Sequence, residues 1–332
     1  MRMKEAGGGM ALYISFDGGG TKLNGMMFDE NLNLLGTGRS GGINLTQTSL
    51  EDCRANVRDC LNQVLATYEP ETVDVVFYTG VGNFQLLCEE VGARVHTTQY
   101  VGTDEALGGL LAGALKWEGV LALAGTGSDV FYLSPGKRCV VGAWGPILGD
   151  DGSGTWIGQQ AIRAVVRLLN GWGEDTLLLP IIREAWALQN DWQMVKIVHG
   201  SPAPFRQVAS ITPLVGKAAE QGDKVALNIL REAGHLMAVQ TESLIRRAAL
   251  REDQLDVTLC GGAWKSHPAM LDSYRASLAP NHPSLTARRP LFEHVCAGPA
   301  RLLLERGMAR EDAIRLMKQQ FAQYRVDMSD ET

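Results

Sequence analysis

The stretch YISFDGGGTKLNGMMFDE, residues 13–30, combines a carboxylate with groups that can bind phosphate. Asp17 follows an apolar run, and Gly18–Gly20, Thr21 and Lys22 come directly after it. Turn glycines let backbone N–H groups approach phosphate oxygens without a side chain in the way. The stretch therefore predicts a phosphate-binding loop.

The residues around this loop predict a β-hairpin. Residues 21–28 lack the spacing of an amphipathic helix, DENLN has the composition of a turn, and LLGTGRS is typical of a third strand. A Walker loop needs G-x-x-x-x-G-K-[ST], and a Rossmann fingerprint needs a helix directly after its glycines. Neither pattern occurs here, so the phosphate would be held by a strand–turn–strand loop.

Two further glycine turns follow apolar strands. GVLALAGTGSDVFYLS, residues 119–134, repeats the strand–glycine–strand pattern, which suggests two related halves. DVTLCGGAWKSHPAML, residues 256–271, predicts a strand, a Gly-Gly turn and a helix. If the two halves face each other, all three turns could converge on one nucleotide.

Asp104 lies between a predicted strand and a helix rich in glycine and alanine. A carboxylate in this position could orient a hydroxyl group and accept its proton during phosphoryl transfer. The same residue could instead only cap the helix. Residues 144–151 add an indole and short polar side chains, a combination that suits sugar binding.

The rest of the chain predicts an α/β protein. Helices are expected at 49–68, with Ser49 as cap, across most of 176–250, and at 299–325 with a break near Gly307. A strand is expected at 73–82, and a strand, loop and helix at 138–171, ending at Asn170-Gly171.

The composition of the chain limits the classes of molecule that it is expected to bind. The net charge of −6 argues against nucleic acid or an acidic membrane as the main partner, and no apolar run approaches the roughly 20 residues of a membrane span. The six cysteines form no Cys-x-x-Cys pair, which favours reduced thiols in a cytoplasmic protein. Residues 1–10 are expected to be a leader, with Met10 as an alternative start.

The motifs together resemble the BadF/BadG/BcrA/BcrD-type ATPases of the sugar kinase, heat-shock ATPase and actin superfamily, and most of all its N-acetylglucosamine kinases. The resemblance covers about residues 11–305. The stretches that carry it, in order, are DGGGTK, GGINL, GTDEALGG, LAGTGS, GAWGPILGDDGSGTWIG and CGGAWKS. The second acid in GDDGS is shorter than the family's GDEGS, which puts a direct role for Asp151 in doubt.

The resemblance implies a two-domain actin-like ATPase (ribonuclease H-like) fold of class α/β, with a nucleotide and sugar cleft between the domains. The first domain would span 10–117 and the second 118–298. The helices of 299–325 would return to the first domain.

The resemblance also implies roles for individual residues. Asp17 would hold Mg²⁺, through water, and Asp104 would be the catalytic base. ATP would be bound by Gly19, Gly20, Thr21 and Lys22, by Gly125, Thr126, Gly127 and Ser128, and at adenosine by Gly261, Gly262 and Lys265. The sugar would be bound by Asn44, Asp104, Trp144, Gly145 and Asp150.

For several of these residues a structural role without ligand binding remains an alternative. Lys22 and Lys265 could be surface charges, Asn44 a turn residue, and Asp150 part of a solvated loop or a metal site.

The implied activity is phosphorylation of N-acetylglucosamine at its 6-hydroxyl, with ATP and Mg²⁺. A glucosamine kinase, an ATPase activator of a radical dehydratase and a non-catalytic sugar sensor remain alternatives. A small-molecule amino sugar is the expected partner, and a homodimer is one option for the assembly.

Overall fold

The computed structural model describes residues 10–46, 48–201 and 203–326, which divide into two compact units. The first unit holds the residues up to Trp117 and from Pro290 onward, and the second is Glu118–Arg289. Most of the expected leader at residues 1–10 lies outside the described residues.

The first unit is built on a five-stranded sheet with the order β3-β2-β1-β4-β5. Strand β1 pairs antiparallel with β2 and parallel with β4, β2 pairs antiparallel with β3, and β4 pairs parallel with β5. Its elements are β1 (Leu12–Gly18), β2 (Leu23–Asp29), β3 (Leu34–Ser40), α1 (Leu50–Val64), β4 (Thr72–Gly80), α2 (Phe84–Gly92), β5 (His96–Thr103), α3 (Glu105–Ala114), α11 (Ala297–Glu305) and α12 (Arg310–Gln320).

Both faces of this sheet are covered, which explains why β1 reads as a continuous apolar run. Ile14 and Phe16 belong to the core formed with α1 and α2, whereas Tyr13 belongs to the core formed with α3, α11 and α12. Successive side chains of a strand point to opposite faces, so a central strand covered on both sides needs apolar residues throughout. Ser15 is accommodated because its hydroxyl donates to the Val295 carbonyl oxygen at 2.6 Å.

The second unit repeats the same sheet. Its strand order is β10-β9-β6-β7-β8, with β6–β7 and β7–β8 antiparallel and β6–β9 and β9–β10 parallel. Its elements are β6 (Gly119–Ala124), β7 (Ser128–Ser134), β8 (Lys137–Gly142), α4 (Gly154–Leu169), α5 (Leu178–Ala185), α6 (Gln193–His199), α7 (Pro204–Ala209), α8 (Thr212–Glu220), α9 (Lys224–Ala248), β9 (Asp256–Cys260), α10 (Pro268–Leu278) and β10 (Thr286–Arg288).

The two sheets confirm the prediction of two related halves. In each unit an antiparallel hairpin, β1–β2 or β6–β7, is followed by a third antiparallel strand and two parallel strands. Both predicted phosphate loops therefore occupy the same place in the topology, the turn of the first hairpin.

Most predicted elements are present with small shifts of their ends. Ser49 caps α1, the helix near the C-terminus breaks at Gly307 with φ +78°, and Asn170 ends α4. The sequence analysis had no prediction for α2 or β10, which are both short. Within the described residues, no helix has the length and apolar content needed to cross a membrane.

Candidate nucleotide and sugar site

The first glycine loop is held by hydrogen bonds to its carbonyl groups. The Gly18 carbonyl accepts the N–H of Gly82 at 3.0 Å and the hydroxyl of Tyr78 at 3.0 Å. The Gly19 carbonyl accepts the N–H of Ile43 at 2.9 Å, and the Gly19 N–H closes the turn onto Lys22 O at 3.0 Å.

These bonds decide which way the N–H groups of the loop point. A trans peptide group is planar, so a fixed carbonyl turns the N–H of the next residue the opposite way. The bond from Ile43 to Gly19 therefore turns the N–H of Gly20 away from Ile43. Gly20 and Thr21 are both partly exposed, which leaves this side of the loop open to a ligand.

Asp17 and Lys22 form an ion pair at the base of the loop. The carboxylate of Asp17, 9% exposed, lies 3.6 Å from the Lys22 Nζ. The Lys22 side chain is 41% exposed, so it can leave the pair for a phosphate without breaking the core. The ion pair is compatible with both interpretations of Lys22, a surface charge and a phosphate ligand, and the phosphate contact stays a prediction.

The donor set around Asp17 fits a hydrated magnesium ion. No group of three or more His, Cys, Asp or Glu side chains suited to a metal occurs among the described residues. Mg²⁺ usually keeps several waters and is held by one or two carboxylates together with nucleotide phosphates. A single buried carboxylate beside a phosphate loop meets that requirement.

The second loop, residues 125–128, uses its carbonyls in the same way. The N–H of Gly154 donates to Gly125 O at 2.8 Å, and the Thr155 N–H and hydroxyl donate to Thr126 O at 3.2 and 2.7 Å. The N–H of Gly125 closes this turn onto Gly127 O at 2.9 Å. By the same planarity, the N–H groups of Thr126 and Gly127 are turned away from the start of α4.

Ser128 differs from its neighbours in the loop. It is 2% exposed, and its hydroxyl donates to the Asp151 carbonyl at 2.9 Å. Gln240 of α9 donates to the same carbonyl at 2.8 Å. The Ser128 hydroxyl is therefore engaged within the protein, and a phosphate contact from this residue stays a prediction.

The third turn packs directly under the second loop. Gly261 has φ +106°, and a side chain there would lie 2.3 Å from the Ala124 carbonyl oxygen. Trp264 is 1% exposed, and its indole N–H donates to Ala122 O at 3.2 Å. In the segment AWK (Ala263–Lys265), Trp264 is therefore packed in the core, whereas Lys265 is exposed.

Gly19, Gly125 and Gly262 share a property that the fold does not explain. Each has an ordinary φ, and a side chain added at any of them would meet no atom within 4 Å. Glycine is conformationally costly, so it is retained where the backbone or a close approach needs it. The contacts of the described residues thus give no reason for glycine at these three positions, and one of them lies in each predicted nucleotide turn.

Asp104 is the N-cap of α3. Its Oδ1 accepts the N–H of Leu107 at 2.9 Å, and its side chain is exposed. The hydroxyl of Thr79 donates to its backbone carbonyl at 3.4 Å. The cap role is thus present in the structure, but a carboxylate has two oxygens and several lone pairs, so capping leaves capacity for a hydroxyl donor.

Glu105 is a titratable residue that the sequence analysis missed. Burial raises the pKa of its carboxyl group to about 7, and the negative charges of Asp17 and Asp104 add to the shift. A carboxyl group that is partly neutral near pH 7 can donate a hydrogen bond as well as accept one. Its position next to Asp104 in TDEAL was the only available signal.

The residues predicted to bind sugar fall into two groups. In the first unit, Asn44 follows Ile43 and accepts the Thr46 N–H and hydroxyl at 3.0 and 2.9 Å, the arrangement of a turn. In the second unit, Trp144 is 72% exposed and Gly145 has φ +79°. Trp144 and Gly145 are both accessible to solvent, and their contacts with a sugar stay predictions.

Asp150 is a buried carboxylate rather than part of a solvated loop. It is 7% exposed, and a side chain at Gly127 would lie 2.7 Å from its Oδ2. Burial raises its pKa, while the backbone N–H groups of Ser128 and Gly145 act in the opposite direction. The structure therefore brings Asp150 together with the second phosphate loop and with Gly145.

Comparison with known proteins places these features in context. The family model described as the BadF/BadG/BcrA/BcrD ATPase family matches residues 16–285. The N-acetylmuramic acid/N-acetylglucosamine kinase of Clostridium acetobutylicum is 23% identical over 284 residues, which cover 83% of this chain and 93% of that protein. The glucosamine kinase of Vibrio cholerae is 24% identical over 229 residues, covering 67% of this chain and 76% of that protein.

The solved structures include a candidate N-acetylglucosamine kinase from Porphyromonas gingivalis. It matches with a TM-score of 0.70 at 20% identity, covering 89% of this chain and 98% of that one. At this identity the likeness shows the fold, and it confirms the predicted α/β actin-like ATPase fold. Since the family model spans most of the chain and all three glycine turns, this protein belongs to the BadF/BadG/BcrA/BcrD ATPase family.

Proposed function

We propose that this protein is an ATP-dependent kinase that phosphorylates an amino sugar, with the 6-hydroxyl of N-acetylglucosamine as the acceptor. The observation that carries the proposal is the set of open glycines Gly19, Gly125 and Gly262, one in each predicted nucleotide turn. Membership of an ATPase family and the kinase names of the relatives support the same reading.

The nucleotide would be held mainly by backbone groups. The N–H groups of Gly20, Thr126 and Gly127 are turned away from the carbonyl partners of their loops and can donate to phosphate oxygens. Lys22 would exchange its ion pair with Asp17 for a phosphate. The open position at Gly262 and the exposed Lys265 would receive the adenosine.

Magnesium would neutralise charge that develops on the phosphates, and Asp17 is the residue that would hold it through water. The carboxylate of Asp17 is nearly buried, which favours keeping it paired with a cation. With Lys22 moved to a phosphate, Asp17 would keep a cationic partner by holding a hydrated Mg²⁺.

Asp104 would act on the acceptor hydroxyl. Its exposed carboxylate accepts a hydrogen bond from the sugar hydroxyl and then takes the proton as the oxygen bonds to the γ-phosphorus. The bond from the γ-phosphorus to the bridging oxygen breaks in the same transfer, and the products are the sugar phosphate and ADP. The helix cap fixes the direction of the carboxylate while this happens.

The sugar would be oriented by Asn44, Trp144, Gly145 and Asp150. Trp144 offers an exposed indole, and sugars present both hydroxyl groups and apolar C–H faces. Asp150 can accept sugar hydroxyls with the lone pairs that Ser128 and Gly145 leave unused.

A glucosamine kinase is the second candidate, because one relative carries that name. The dehydratase-activator alternative finds no support in the cysteines. A cluster bridging two subunits needs accessible thiolates, but Cys53, Cys60, Cys260 and Cys296 are buried. The two partly exposed cysteines, Cys88 and Cys139, belong to different units.

An ATP-consumption screen tests the proposal. Glucose, glucosamine, N-acetylglucosamine and N-acetylmannosamine are each supplied with ATP and Mg²⁺, and a reaction without sugar measures background hydrolysis. We expect the highest kcat/KM with N-acetylglucosamine. The highest value with glucosamine would favour the second candidate, and no sugar-dependent turnover with any of them would contradict the proposal.

The open glycines predict a defect in nucleotide binding without a defect in folding. A methyl group at Gly19, Gly125 or Gly262 meets no protein atom, so Gly→Ala at each should leave the melting temperature close to that of the wild type. The same methyl blocks the approach of the nucleotide, and we expect KM for ATP to rise at least about tenfold, equivalent to ~1.4 kcal/mol. KM for the sugar should change much less.

Gly261→Ala is the matched control for this series. It strains a backbone at φ +106° and places a methyl 2.3 Å from the Ala124 carbonyl oxygen, so it should lower the melting temperature. If the melting temperatures of the three open-glycine variants are as low as that of Gly261→Ala, or if their KM for ATP equals that of the wild type, these glycines do not serve nucleotide binding.

Asp104→Asn separates the catalytic base from the helix cap. Asparagine caps a helix about as well as aspartate, so the melting temperature should hold. It cannot take a proton, and since a general base contributes about 10²- to 10⁴-fold, kcat should fall at least about 100-fold. Retention of more than about a tenth of the wild-type kcat would remove Asp104 from the chemistry.

A further inference from the structure

Thr155 makes the hydrogen bonds that fix the second phosphate loop. The residue is fully buried in the first turn of α4, and its hydroxyl donates to the Thr126 carbonyl oxygen at 2.7 Å. Its backbone N–H donates to the same oxygen at the longer distance of 3.2 Å. Both donors on this carbonyl come from one residue, and the hydroxyl makes the shorter bond.

The fixed carbonyl controls a group on the other side of the same peptide. The Thr126 carbonyl and the Gly127 N–H share one planar trans peptide group and point in opposite directions. A glycine follows the bond, so few steric barriers would keep this peptide from rotating if the carbonyl were released. The direction of the Gly127 N–H therefore depends on both donors of Thr155, and the hydroxyl makes the shorter of the two bonds.

We propose that Thr155 is a positioning residue for the nucleotide phosphates: its hydroxyl holds the Thr126–Gly127 peptide so that the Gly127 N–H donates to a phosphate oxygen. This inference rests on the proposed ATP-binding function, because it assigns a means of alignment to that loop. Thr155 never touches the nucleotide, and its effect passes entirely through one peptide group.

The surroundings of Thr155 favour alignment over simple helix packing. The first turn of α4 already has an N-cap, since the Ser153 hydroxyl accepts the Trp156 N–H at 3.1 Å. It has a second support in Thr212, whose buried hydroxyl donates to the Gly154 carbonyl at 2.8 Å. The Thr155 hydroxyl is directed to the loop at 2.7 Å, and its second acceptor, the Phe205 carbonyl oxygen of α7, lies farther away at 3.4 Å.

The test compares the binding of ADP and adenosine, measured by titration calorimetry in the presence of Mg²⁺. Thr155→Val keeps the shape and loses the hydroxyl, whereas Thr155→Ser keeps the hydroxyl. Thr155→Val should misdirect the Gly127 N–H and so weaken its hydrogen bond to the charged phosphate. Hydrogen bonds to charged groups contribute more than neutral ones, so we expect this variant to raise the Kd for ADP about tenfold. Thr155→Ser should stay within about twofold of the wild type, and neither variant should change the Kd for adenosine, which has no phosphate.

Thr241→Val is the matched control, because it also removes a fully buried threonine hydroxyl bonded to a carbonyl, that of Met237 within α9. It should lower the melting temperature about as much as Thr155→Val and leave ADP binding unchanged. If Thr155→Val binds ADP as the wild type does, or weakens adenosine and ADP equally, the positioning role is wrong. If the wild-type protein binds no ADP, the proposed nucleotide site itself fails.

Discussion

The planarity of the peptide group is the constraint on which the candidate site depends. In each hairpin loop the protein binds the carbonyls, through Ile43 in the first unit and through Gly154 and Thr155 in the second. The N–H groups of the following residues must then point the opposite way. Backbone N–H groups oriented in this way can bind an anion, and the repeated sheet places such donors in each unit.

Glycine has two separate uses in these turns. Gly261 is required by its own unit, because it has a φ of +106° and a side chain would press on the Ala124 carbonyl oxygen, whereas a side chain at Gly127 would meet the carboxylate of Asp150. Gly19, Gly125 and Gly262 are open, so the fold would accept a larger residue there. The distinction separates residues that build the turn from those that leave room for a ligand, and sequence patterns alone treat both kinds as the same motif.

The sequence predicted the features that depend on local pattern. The apolar runs and glycine turns identified both hairpins, and the position of Asp104 between a strand and a helix was correct. The hydrogen bonds of Thr155 and Trp264 could not be predicted, because their carbonyl partners, Thr126 and Ala122, lie far away in the chain. Glu105 was missed because its raised pKa depends on burial and on Asp17, which only the folded unit brings near.

The central claim is that each hairpin loop binds nucleotide phosphate through its backbone N–H groups. Amide hydrogen exchange of the intact protein, measured with and without ADP and Mg²⁺, tests it most directly. The account predicts that the loop at 18–21 and the loop at 125–128 each gain protection when ADP is added, because each donates N–H groups to phosphate. Protection of only one loop, or of neither at saturating ADP, would contradict it.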